Sequence, residues 1–220
     1  MRPATLAVFA LAIAPFAAIA ADAPAVSTAP VPAGSYVIDK AHTSLIFKLS
    51  HLGFSTYTGR FTRLDAKLQF NPSHIANSRV EVNIDPRSIE ADNAPAEFLQ
   101  TLAGKDWLDA DQFPKMTFVS KSVVPTGTQT FRIRGELTLH GVSKPVTLEG
   151  RYNGGYAGHT YEPNARVGFS AQVSFRRSDF GVSMGILATG STFGVGDGVS
   201  VVLETEFTGP TLGPAARAPN

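Results

Sequence analysis

The sequence predicts an all-β fold: an antiparallel sheet of about eight or nine strands that covers itself, with one short helical segment at about residues 94–104. Period-two alternation of apolar and polar residues recurs along most of the chain, the pattern of half-buried strands. Only one stretch, NAPAEFLQTLAGKDWLDADQFP, breaks that pattern. A single helix of about two to three turns cannot cover both faces of so large a sheet, so the sheet closes into a barrel or folds into a sandwich.

In chain order, a short strand is expected around Tyr36 and Ile38, then a second in which Leu45, Phe47 and Leu49 share a face. Leu64, Ala66, Leu68 and Phe70 form the next inward set, followed by Val80, Val82 and Ile84. The helical segment has Pro95 suited to its first turn, Phe98, Leu99 and Leu102 on one side, and Gly104 to end it. Met116, Phe118 and Val124 make a further inward set. The stretch FRIRGELTLHGVSKPVTLEGRY, residues 131–152, reads as a hairpin. Its Phe131, Ile133, Leu137 and Leu139 share one face; Arg132, Arg134, Glu136, Thr138 and His140 share the other. Val146, Leu148 and Tyr152 resume the apolar phase. Val167, Phe169, Ala171, Val173 and Phe175 form the longest clean run, and Val199, Val201, Leu203 and Phe207 the last. Short connections make neighbouring strands antiparallel.

None of these inward sets holds a charged residue, and the opposite faces carry Arg, Lys and Glu. An outer-membrane barrel is arranged the other way, with longer strands of about 9 to 11 residues, so stable membrane insertion is not expected. An eight-stranded barrel is just wide enough to be filled by side chains or to hold one small ligand, and composition alone does not decide which.

The ends carry a different signal. Met1 and Arg2 precede an apolar run from Leu6 to Ile19, and Ala18-Ile19-Ala20 matches a small-x-small cleavage pattern. Residues 1–20 are read as a signal peptide cleaved near Ala20/Ala21, which makes the chain an exported, periplasmic protein. Residues 21–33 read as a flexible Pro/Ala-rich linker and 210–220 as a flexible tail, leaving one domain at 34–209. Removing Arg2 from 19 basic residues leaves 18 against 18 acidic ones, without the basic footprint of a nucleic-acid binder. The absence of Cys excludes disulfides, thiolate metal sites and a Cys nucleophile.

No catalytic motif emerges. His42, His51, His74, His140 and His159 form no HxxxH or HExxH pair, and there is no GxSxG elbow or phosphate-cradling loop, so no catalytic or metal-ligating residue is assigned. A triad assembled in space from distant Ser, His and Asp stays open. His42 and His51 flank the Phe47 strand and are candidates for a barrel mouth. His140 reads first as a turn-stabilising imidazole. Arg177 and Asp179 in RRSDFG read as an ion pair before a polar ligand anchor, and Trp107 as a core cap or an entrance residue.

Several stretches, in order, resemble the YceI-like family of exported lipid-binding proteins: YVIDKAHTSLIFKLSHLGFSTYTGRF, GKDWLDADQFPKMTFVS, GELTLHGVSKPVTL and FSAQVSFRRSDFG. The resemblance runs from about Tyr36 to Phe207, and the spacing of Asp39, His42, Phe47, His51, Gly59 and Phe61 is its more specific part. It implies an eight-stranded antiparallel lipocalin-like barrel around a long apolar pocket that holds a polyisoprenoid chain, an isoprenoid quinone or a fatty amide, with no required cofactor. The pocket residues expected on this basis are Phe47, Leu49, Leu68, Phe70, Val82, Phe118, Phe131, Ile133, Leu137, Phe169, Val173, Phe175, Val201 and Leu203. His42, His51, Phe98, Trp107, Arg177 and Asp179 are expected at the pocket mouth or head group. A homodimer is left open. One departure stands out: many members carry an Arg-Asp-x-His-Leu run in the helical segment, where this chain has Ala96-Glu97-Phe98-Leu99. The competing readings are a hydrolase or isomerase of a lipophilic substrate and a structural module with a solid core.

Overall fold

The computed structural model describes residues 30–158, 161–186 and 193–211. The expected signal peptide, linker residues 21–29, the tail beyond 211 and His159 lie outside these residues. Strands β1 (Gly34–His51), β2 (Ser55–Phe61), β3 (Leu64–Phe70), β4 (Arg79–Ile84) and β5 (Ile89–Glu90) precede the helix α1 (Ala96–Ala103). Strands β6 (Met116–Pro125), β7 (Thr130–Leu139), β8 (Val142–Tyr156), β9 (Asn164–Arg176) and β10 (Gly198–Thr211) follow.

Eight of these strands, in the order β1-β3-β4-β6-β7-β8-β9-β10, close into an antiparallel barrel through pairing of β10 with β1. The short strands β2 and β5 are additions to the wall. β1 pairs with β10 along one edge; along the other it pairs with β3 only over Gly34–Val37 and with β2 over Ile46–His51. The wall therefore parts between β1 and β3, and β2, β5 and α1 occupy that end.

The two short strands expected around Tyr36 and Phe47 are one strand of 18 residues. Its inward residues change phase, from Tyr36 to Leu45 and Phe47, because β1 advances five residues from Asp39 to Ser44 while β10 advances two from Glu206 to Glu204. An odd surplus in a bulge moves the following side chains to the other face. A second bulge between Ser120 and Ser122 corrects the assignment of Val124: Val123 is 6% exposed and Val124 is 43% exposed.

Helix α1 is shorter than expected, with Pro95 in the N-cap position and Gly104 in the C-cap position. His140 and Gly141, with φ of 51° and 74°, connect the paired Leu139 and Val142 as a two-residue turn of the I′ kind, whose twist suits a hairpin. Inside the barrel, aromatic rings lie flat over cross-strand glycines: Phe47 over Gly59, Phe118 over Gly135 and Phe131 over Gly150. A Cβ at any of the three would collide with the ring, so glycine is required by the packing of its partner.

One end of the barrel is solid. Tyr36, Phe70, Ala165, Val167 and Phe207 are buried there together, and Phe169 packs against Phe70, Phe131, Tyr152 and Phe207 at ring separations of 5.5 to 6.1 Å. The Tyr36 hydroxyl donates to the Pro32 carbonyl at 2.7 Å.

Candidate functional site

Above that floor the barrel is hollow. A cavity of about 250 Å³ occupies the end nearest β2 and α1, and a smaller one of about 90 Å³ lies between it and the aromatic floor. Val82, Phe118, Leu148 and Leu203 line both and form the waist between them.

All fourteen residues expected in the pocket line one chamber or the other. Phe47, Leu49, Leu137, Val173, Phe175 and Val201 face the large chamber. Leu68, Phe70, Phe131, Ile133 and Phe169 face the small one, and Val82, Phe118 and Leu203 face both. Among the expected mouth residues, His51, Phe98, Trp107 and Arg177 line the large chamber. Tyr57 and Phe61 of β2, Ile89 of β5, and Leu108 and Val182 line it as well and were not anticipated. Their signal is faint: in STYTGRF the alternation Tyr57, Gly59, Phe61 is broken by the glycine on which Phe47 rests.

Two expected mouth residues lie elsewhere. The bulge in β1 places His42 on the outer surface, where its Nδ1 lies 2.9 Å from Asp39 Oδ2. Asp179 is exposed, and it is not the partner of Arg177. The Arg177 guanidinium, in a residue only 4% exposed, donates to the carbonyls of Gly196 (3.0 Å), Val182 (3.0 Å), Met184 (2.8 Å) and Val195 (3.3 Å). Burial pushes its pKa below the usual arginine range, with the charge of Asp197 acting in the other direction. Asp197 accepts from the Ser178 amide at 2.9 Å and the Ser178 hydroxyl at 2.8 Å. Arg177 thus ties the segments on either side of the mouth to the end of β9. His140 lies in the β7–β8 turn, and its ring packs on Phe113 with the ring centroids 4.7 Å apart.

Around Asp39 on the outer wall the charged groups pair with one another. Asp39, His42 and Glu206 lie close enough to suggest a cation site, but Arg166 already fills it, donating to Asp39 at 2.6 Å and Glu206 at 2.7 Å, with Glu162 at 3.0 Å. The chamber differs. Among the described residues, the Tyr57 hydroxyl is the one buried side-chain polar atom with no hydrogen-bond partner. An unsatisfied buried hydroxyl costs about 1 to 3 kcal/mol. His51 lines the rim of the large chamber and makes no hydrogen bond to Ser, Asp or Glu among the described residues.

A model of the YceI-like domain matches residues 36–207, the span of the barrel. The chain belongs to the YceI-like family. Among relatives, a UPF0312 protein of Vibrio cholerae serotype O1 is 36% identical over 172 residues, covering 77% of this chain and 82% of the relative. A UPF0312 protein of Pseudomonas fluorescens is 38% identical over 175 residues, covering 76% and 86%. Among solved structures, the Campylobacter jejuni YceI protein superposes with a TM-score of 0.61 at 28% identity, covering 78% of this chain and 96% of that one. Burkholderia cenocepacia BcnA (TM-score 0.67, 24% identity, 77% and 98% covered) shares the fold. So does a polyisoprenoid-binding domain from Saccharophagus degradans (0.58, 16%, 80% and 98%). In this YceI-like barrel, helix α1 turns Phe98 and Leu102 to the chamber.

Proposed function

We propose that this protein is an exported, periplasmic binding protein that holds a long-chain isoprenoid lipid, of polyprenyl or isoprenoid-quinone type, or a fatty amide, for transport, storage or sequestration. The observation that carries this reading is the two-part apolar chamber inside the closed barrel. Membership of the YceI-like family and the polyisoprenoid-binding domain that shares its fold support the same ligand class. At roughly 30 Å³ for each water-sized group, the two chambers together take on the order of ten carbons. Burying that many at about 0.8 kcal/mol each gives on the order of 8 kcal/mol before the cost of ordering the chain, so tail burial is a principal source of binding energy. No cofactor enters the proposal, and the role is binding, not catalysis.

The test is organic extraction of protein purified under native conditions from the periplasm, followed by mass spectrometry. Close to one lipid per chain is expected, and the protein's intact mass should begin at or next to Ala21. A barrel consistently free of lipid would overturn the binding reading, and a mass retaining residues 1–20 would overturn the cleavage.

A further inference from the structure

The Tyr57 hydroxyl stands apart from the rest of the chamber. It lies on β2 opposite Leu49, its ring packed edge-on against Phe98 of α1 at 6.3 Å, and it has no partner for its proton. Water is a poor partner there, since a buried water needs about two to four polar neighbours. Its cross-strand partner Leu49 and its ring neighbour Phe98 offer none. An oxygen carried on an apolar molecule brings the acceptor without that requirement.

Resting on the lipid-binding reading above, we propose that Tyr57 is the polar anchor of the chamber, donating its hydrogen bond to a carbonyl oxygen on the bound lipid. A carbonyl fits better than the alternatives because it accepts without leaving a donor of its own unpaired, as an alcohol would. A phosphate or carboxylate buried at this point would need a counter-charge. Arg177, the arginine that lines the chamber, already commits its guanidinium to four backbone carbonyls. His51 is exposed at the rim. Burial also raises the Tyr57 pKa, so the phenol stays protonated and able to donate at neutral pH.

The test compares wild type and Tyr57→Phe with two probes of equal carbon number, an isoprenoid ketone and an isoprenoid hydrocarbon. Binding is followed through the fluorescence of Trp107, the single tryptophan, which lines the chamber. Wild type should bind the ketone about five- to tenfold more tightly than the hydrocarbon, and Tyr57→Phe should erase that preference by weakening the ketone alone. The infrared carbonyl stretch of bound ketone should lie lower in wild type than in Tyr57→Phe, a readout that a purely structural role of the ring would not move. Equal ketone affinity in the two proteins, or an equal loss for both probes, would overturn the anchor while leaving lipid binding intact. Failure of wild type to bind either probe would overturn the lipid-binding reading and the anchor together.

Discussion

The guanidinium of Arg177 lies over the indole of Trp107, 5.4 Å from the ring centroid. A cation at this distance from a tryptophan face is attracted by the ring, the more so when withdrawn from water. The pair joins the segment after α1 to the end of β9 at the chamber mouth. It also explains how a buried arginine is tolerated without a direct carboxylate partner: four carbonyls and a ring replace its hydration.

Arg177→Met should therefore destabilise the protein by about 3 kcal/mol or more, because the carbonyls it serves are left without donors. Arg177→Lys should recover less than half of this, since an ammonium cannot reproduce the planar fork. Urea unfolding of the three proteins measures both. A loss below about 1 kcal/mol for Arg177→Met would show that water satisfies those carbonyls.

The waist makes its own prediction. Phe118 lines both chambers, so Phe118→Ala should merge them, and lipid extracted from the variant should shift toward longer tails. The stability loss should fall below the roughly 3 to 5 kcal/mol of a packed core phenylalanine, because space already lies on either side of the ring. Mass spectrometry of extracted lipid and thermal unfolding decide the two parts.

On β7 the alternation can be tested residue by residue. Leu137→Asp should abolish lipid binding, since an unpaired charge facing the large chamber costs several kcal/mol unless it neutralises. Phe131→Ala should cost less than a packed core phenylalanine while widening the small chamber. His140→Ala should leave binding intact and cost about 1 kcal/mol through its lost packing on Phe113. Retained lipid and melting temperature are read for all three; loss of lipid in His140→Ala alone would reverse the assignment of inner and outer faces.

Acid stability should reflect Asp39. Its carboxyl is held at about 2, below its ordinary 3.8, first by the hydrogen bond from Arg166 and next by that from His42. With the folded value the lower one, its stabilisation is complete above about pH 4 and is lost as pH falls through about 2. It amounts to roughly 1 to 2 kcal/mol after allowance for solvent screening. Asp39→Asn should be less stable than wild type at neutral pH by about that amount, and the difference should shrink between about pH 4 and 2. A constant difference across that range would show that the Arg166 bond is not its source.

The inward residues of most barrel strands were legible because alternation is a local property, and all fourteen pocket residues named from the chain do face a chamber. What the sequence did not reveal are the bulges: the extra residues at Asp39–Ser44 and Ser120–Ser122 have no compositional mark, yet the first carries His42 on the outer surface and the second puts Val123, in place of Val124, in the interior. The Arg177–Asp179 pairing failed for a related reason. Residues two apart are near in sequence, but the guanidinium is drawn instead to carbonyls brought in from Val182 to Gly196 by the return of the chain.

By itself, then, the sequence determined an all-β sheet that covers itself, with an apolar inner face and one short helix, since those follow from periodicity and from the inability of one helix to cover the sheet, while the choice of a barrel over a sandwich came from the family resemblance. Only the tertiary structure decided that the interior is hollow above an aromatic floor, and that a lone phenol faces the space. A packed core and an empty chamber require the same apolar face on every strand. The difference lies in how far apart opposite walls stand, and that distance is set by strand closure, by bulges and by rings resting on glycines across the sheet.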